Sequence, residues 1–188
     1  MRPAGRKAKR PYVTVDLGLV TAVDAESFGE PGQRTFRLRV IGEDLQAASL
    51  WLEKQQLQAL SLAITQVLAQ LDYEGPPAPP DMSFFPEEPE QDFKVGRMAI
   101  SFDSADETLV LHFADILSDD EDEVTVRFRM TQAQSAYLRE RLDQIIEAGR
   151  PVCRLCGTAI DADGHVCIRA NGHLKIAIPE RDQGEEEP

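Results

Sequence analysis

Apolar and polar residues alternate through Thr35-Phe-Arg-Leu-Arg-Val40, the period of a strand with one wet face. Gly42-Glu-Asp44 then supplies a turn, and a second strand is predicted around Ala48 to Leu52. Leu57, Leu60, Ile64, Val67, Leu68 and Leu71 follow at three- and four-residue spacing, which places them on one stripe of a helix. Upstream, a single strand is predicted from Val13 to Val23.

The same order then returns. Val95 to Phe102 and Thr108 to Phe113 read as strands, and the acidic run Asp119 to Glu123 reads as an exposed hairpin loop. Val124 to Met130 alternates as a further strand. Thr131-Gln-Ala-Gln134 has the form of a capping box and opens a helix carrying Leu138, Leu142, Ile145 and Ile146, closed by Gly149 and Pro151. Without gaps, Leu50 and Leu52 fall on Phe128 and Met130, and Leu60, Ile64, Val67 and Leu68 fall on Leu138, Leu142, Ile145 and Ile146.

The fold class this predicts is α+β: two duplicated βββα halves forming one mainly antiparallel sheet with two packed helices. Each half exposes an apolar face that it cannot bury alone, so the halves share a core. The predicted boundaries are a basic disordered arm at 1–11, a body at 12–149 and an acidic tail at 179–188. Within the body the halves span 12–74 and 92–149, joined by a Pro-rich linker at 75–91, in which Phe84 and Phe85 are expected to pin the chain to the domain surface. Residues 150–178 form a C-terminal zinc-ribbon-like hairpin.

Charge narrows the partners. The net charge is −13, against the cationic surface that phosphate neutralisation demands, so nucleic acid is not the expected partner. Arg2, Arg6, Lys7, Lys9 and Arg10 all precede the first acid, Asp16, and read as a solvated arm. No apolar run approaches the ~20 residues that span a bilayer, and no apolar core follows the basic start as in an export signal. Three cysteines at metal-ligand spacing fit a reducing compartment, so a cytoplasmic location is expected.

Those cysteines carry the candidate chemistry. Cys153-Arg-Leu-Cys156-Gly157 has the shape of a zinc knuckle, in which a turn aims two thiolates at one centre. A second knuckle beginning at Cys167 would place its partner at Ala170, so a histidine must complete the site. His165 lies two residues before Cys167, on the same face of a strand, and is preferred; His173, beyond an Asn-Gly turn, is the alternative fourth ligand. The expected cofactor is structural zinc, held by Cys153, Cys156, His165 and Cys167. A redox pair at Cys153 and Cys156 is disfavoured, because this CxxC follows a helix end instead of preceding a helix start.

The remaining candidates are weaker. Glu30, Gln33 and Arg34, in the loop Gly29 to Arg34, make a possible polar binding patch, set against a tight turn with a structural Arg–carboxylate pair. The loop lacks the spacing of a phosphate loop. His112 is expected to be a solvent-facing strand residue and Trp51 a core residue. No serine or cysteine nucleophile can be tied to a base, so no catalytic residue is assigned.

Gly29-Glu-Pro-Gly-Gln-Arg-Thr-Phe36, Leu52-Glu-Lys-Gln-Gln56, Phe93-Lys-Val-Gly96 and the segment from Cys153 to Asn171-Gly172-His173 together resemble a bacterial family, domain of unknown function 3090. Its members are repeat proteins of high-GC Gram-positive bacteria. The resemblance covers nearly the whole chain in order. The family pattern usually has proline after the first and third cysteines; Arg154 and Ile168 stand there in this chain, with no ligand lost. The resemblance implies neighbouring genes for histidine-phosphatase-like and kinase-like proteins, and assigns no activity. The leading reading is a zinc-binding, non-enzymatic binding or adaptor protein with a protein partner. The alternative is an enzyme, or enzyme subunit, of phosphate-ester metabolism using the Gly29 to Phe36 loop.

Overall fold

The structure, a computed structural model, describes residues 12–29, 34–148, 153, 155–157, 160, 165–169 and 175–176. The alternating segments become β1 (Tyr12–Leu19), β2 (Ala22–Phe28), β3 (Thr35–Ile41), β4 (Ala47–Leu52), β5 (Gln91–Asp103), β6 (Thr108–Asp115) and β7 (Glu123–Met130). The two apolar stripes become α1 (Lys54–Gln70) and α2 (Gln132–Ala148), and a short hairpin follows, β8 (His165–Val166) with β9 (Lys175–Ile176).

The strand order of the large sheet is β1-β7-β6-β5-β4-β3-β2. Most neighbours are antiparallel, as expected, but β4 and β5 run parallel and so do β1 and β7, which makes the sheet mixed. The two end strands are consecutive in the chain, separated only by Val20 and Thr21. The Val20 amide continues the ladder on one side, donating to the Arg129 carbonyl at 2.9 Å; the Thr21 amide starts it on the other, donating to the Ile41 carbonyl at 2.9 Å. The strand order therefore closes on itself through one bent chain segment.

This corrects the single strand expected over Val13 to Val23. Alternation alone carries no mark of a corner, because a bend that keeps both arms hydrogen-bonded keeps the apolar positions too. The local signal is Gly18, at φ +67°, a conformation that costs other residues more. On the opposite side, β5 makes the equivalent bend without interruption. Its Gln91 to Lys94 portion pairs with β4, the rest pairs with β6, and the register shifts between Val95 and Arg97. That bulge moves the inward phase from Phe93 and Val95 to Met98, Ile100 and Phe102. Gly96 sits in it for a steric reason: a Cβ there would lie 2.7 Å from the Ile116 Cα.

One apolar cluster unites both sets of strands and both helices. Leu38, Leu50, Ile64, Leu111, Phe128, Leu138 and Leu142 are fully buried in it. Each such side chain contributes about 1.5–3 kcal/mol over leaving it in water. The helices meet through a polar contact as well, Ser61 Oγ donating to Asp143 at 2.5 Å. From α2, Tyr137 donates to Asp24 at 3.2 Å and Arg141 to the Ala25 carbonyl at 3.0 Å, so polar groups of β2 that a sheet edge leaves open are satisfied by the helix.

The segment between α1 and β5 holds no helix or strand but is tied down. The Ala78 amide donates to the Ala133 carbonyl at 3.0 Å, and the Glu90 carboxylate accepts the Ala47 amide at 2.7 Å. Phe85 lies against the guanidinium groups of Arg37 and Arg39, whereas Phe84 points to solvent at 76% exposure, so only one of the two phenylalanines pins the segment. Trp51 also departs from expectation. It is half-buried on the outer face of the sheet, 5.9 Å from the Phe28 ring and 5.2 Å from the Arg37 guanidinium, with its indole N–H donating to Asp92 at 2.6 Å. Among the described residues, no helix is long and apolar enough to cross a membrane.

Candidate metal centre

The CxxC turn forms as its glycine predicts. The Gly157 amide donates to the Cys153 carbonyl at 2.8 Å, and Gly157 holds φ +74°. A Cβ there would meet nothing within 4 Å, so backbone conformation, not crowding, is what calls for glycine. This turn presents Cys153 and Cys156 to one side. The β8–β9 hairpin, in register His165 to Ile176 and Val166 to Lys175, presents His165, and the chain leaving β8 presents Cys167. Arg169 braces the two pieces from outside, donating to the Leu155 carbonyl at 2.9 Å.

One ligand atom from each of Cys153, Cys156, His165 and Cys167 lies within 4.8 Å of every other. Two thiolates bound to one zinc at ~2.3 Å and at the tetrahedral angle stand about 3.8 Å apart. Cys153 Sγ and Cys167 Sγ are 3.8 Å apart, and no disulfide joins the three cysteines. His165 Nε2 lies 3.2 Å from Cys156 Sγ. A thiol–imidazole hydrogen bond would also give that last distance, but it needs no further pair of sulfurs packed beside it. Four soft or borderline donors converging on one point are what a tetrahedral ion requires, so the residues present fit such a group.

Burial completes the case. Cys153 and Cys167 are buried and pack with Ile160, which is only 3% exposed, so an apolar side chain shields the donors from water. Sequence reading overlooked Ile160, because a lone isoleucine in a polar segment carries no periodic signal. The cluster can hold a metal ion, and with four protein donors it leaves no position for a reacting water. His165, preferred on sequence, is the histidine that the described residues bring to the thiols. His173 lies outside them.

The other sequence candidates do not join this centre. Arg34 is partly buried immediately before β3 and makes no ion pair among the described residues; the Arg–carboxylate pair expected within its loop falls on Glu30, outside them. Glu30 and Gln33 lie outside the described residues. His112 is half-buried, not solvent-facing; burial and the neighbouring Arg127 hold its pKa below the ordinary histidine value, against the opposing pull of Asp16. Gly149 and Pro151, expected to end α2, also fall outside the described residues.

No curated protein matches the chain. No solved structure matches it either. Residues 16–167 match the family described as "Protein of unknown function (DUF3090)", a span that includes β1 from Asp16 onward, β2 to β7, both helices and all four clustered donors. The chain belongs to that family.

Proposed function

We propose that this chain is a zinc-binding adaptor of the cytoplasm, in which a zinc-ribbon-like module staples a contact surface onto an α+β body. The observation that carries the reading is the convergence of Cys153, Cys156, His165 and Cys167 within 4.8 Å. Three thiols and an imidazole favour zinc over hard cations, and a closed donor set favours a structural role. Around the centre Leu155 is 50%, Val166 57% and Ile168 83% exposed. Apolar side chains held outward by a rigid metal turn are suited to meet a protein partner. The body we read as a duplication: α2 and its capping residues follow α1 and its own at a constant sequence offset, with matching inward positions.

Elemental analysis of protein purified without chelator tests the metal, with about one zinc per chain expected. Iron, or no metal, overturns it. His165→Ala should release the metal and His173→Ala should not. The adaptor role is tested separately by affinity capture from the native cell with Val166→Ser and Ile168→Ser. Both variants should keep zinc and lose the partner; capture unaffected by either would remove the adaptor reading and leave the zinc reading standing.

A second reading, an enzyme or enzyme subunit using the Gly29 to Phe36 loop, is favoured by one observation. Arg34 of that loop lines a pocket with Lys94, which lies beyond the Pro-rich segment.

A further inference from the structure

Where β4 runs into α1, a pocket of ≈ 320 Å³ is lined by Arg34, Thr35, Trp51, Leu52, Glu53 and Lys94. Its chemistry is uneven in a chain of net charge −13. The Arg34 Nε is buried with no hydrogen-bond partner among the described residues, so a guanidinium donor has been taken from water without compensation. Lys94 faces the same space, next to Trp51 across the parallel β4–β5 ladder. The α1 N-terminus borders this space, with the Glu53 side chain already turned to its first-turn amide in a capping box. Among the described residues Glu53 is the one acid in the lining, and it is held by Lys94 at 2.6 Å. Asp92 lies nearby but accepts the Trp51 indole N–H at 2.6 Å.

The strand registers supply a comparison inside the molecule. Phe36 pairs with Leu52, and Leu109 with Met130; Trp51 pairs with Lys94, and Arg129 with Leu19. By those pairings the corner where β7 enters α2 holds Glu107, Arg129, Thr131 and Leu19 in the places of Arg34, Trp51, Glu53 and Lys94. There the one cation, Arg129, is neutralised by Asp106 at 2.7 Å. The same backbone corner is thus built without a spare cation or an indole wall, so the fold itself does not demand them at the first corner.

We infer that the Arg34–Lys94 pocket binds a small oxyanion, phosphate or carboxylate, carried on a planar body that rests on Trp51. Arg34 supplies a forked donor, Lys94 a point charge, and the volume suits a small molecule. Glu53 then acts as a competing internal anion that keeps Lys94 in place while no ligand is bound. The inference is independent of the metal centre and holds whether or not a reaction follows binding.

Trp51 is the single tryptophan, so its fluorescence reports the pocket directly. The full-length, metal-replete protein is titrated with phenyl phosphate, benzoate, inorganic phosphate and phenol, with calorimetry as a readout that does not depend on the indole. Saturable binding of phenyl phosphate or benzoate is expected, whichever is tighter naming the oxyanion, with weaker binding of inorganic phosphate and none of phenol. Arg34→Gln and Lys94→Gln should each weaken it at least about tenfold. Glu53→Gln should tighten it, because it frees Lys94, an outcome that a merely structural Glu53–Lys94 pair would not give. Thermal melts identify any variant that fails to fold, and Arg34→Lys, which keeps the charge and loses the fork, then replaces Arg34→Gln. Binding of phenol as tight as of phenyl phosphate, no saturable binding of either anion, or affinity unchanged in both cation variants overturns the proposal.

Discussion

The side-chain amide of Gln134 donates to the Val20 carbonyl at 2.8 Å, joining the first turn of α2 to the corner where β1 becomes β2. The same residue accepts the Thr131 amide at 2.9 Å, and its own amide reaches Thr131 Oγ1 at 3.2 Å, so one glutamine closes the capping box and secures the corner. Gln56 does the matching work at α1: it accepts the Glu53 amide at 2.8 Å and donates to the Val95 carbonyl, beside the β5 bulge, at 2.9 Å. Each helix start therefore fixes a bend in the strand that passes beneath it.

Replacing either glutamine removes a cap and leaves a corner carbonyl unpaired. Gln134→Ala and Gln56→Ala should each lower stability by about 1–2 kcal/mol in chemical denaturation. Their effects should be similar although the residues lie on different helices. A Gln134→Ala variant as stable as the wild type would show that the corner is held by its ladder bonds alone.

The capping box at Thr131 to Gln134 was legible in sequence, but the reach to Val20 was not, because a side chain's distant partner leaves no trace in local periodicity. The same division runs through the fold. The period of two in Thr35 to Val40 and Val124 to Met130 and the period of 3.6 in both helices mark the elements that keep one face inward. They do not say that β4 pairs in parallel with β5, since a ladder partner is chosen by tertiary packing. Trp51 was misplaced for a related reason. Its alternation phase puts it opposite Leu50 and Leu52, on the outer face, whereas its place in the strand that leads into a helix argued for the core. At the metal centre, ligand type and spacing singled out three cysteines and two candidate histidines, because coordination geometry limits the choices; of the histidines, the described residues bring His165 to the thiols.

Asp16 and Arg127 are register partners across the parallel β1–β7 ladder and form an ion pair. Partial burial works to raise the Asp16 pKa, but the hydrogen bond from Arg127 and the Gly18 amide outweigh it, and the net shift is below the ordinary aspartate value of 3.8. A folded-state pKa below the unfolded one contributes stability above the unfolded pKa and loses it as pH falls through the folded pKa. Asp16→Asn should therefore cost little at neutral pH, about 0.5 kcal/mol for so exposed a pair, and make the loss of stability below about pH 4 shallower. Chemical denaturation at a series of pH values checks both the sign and the window. An unchanged acid limb would mean that other carboxylates dominate it.

Cys153, Ile160 and Cys167 form an apolar cluster separate from the one that unites the strands and helices. If zinc holds that small cluster together, chelation should release it and leave the larger core intact, because two cysteines and an isoleucine bury too little to fold unaided. A chelator should expose residues 150–178 to protease while the main thermal transition moves little. Collapse of the whole protein on chelation would place the metal within the main folding unit.

The closure of the strand order makes a stronger demand on the body. Cutting between α1 and β5 breaks the β4–β5 ladder at one junction and the β1–β7 ladder at the other, because β1 belongs in sequence to the first half and in space to the second. Each fragment would then expose open sheet edges and half of a single core in which Leu50 and Phe128 are fully buried. Residues 1–75 and residues 92–188, expressed separately, should each be unfolded or insoluble. Mixed during refolding, they should recover native circular dichroism, since both junction ladders and the helix–helix contact can reform without the covalent link. A well-dispersed NMR spectrum from either fragment alone would show that a half buries its own core, and the β1–β7 ladder would then be an accessory to a fold that does not need it.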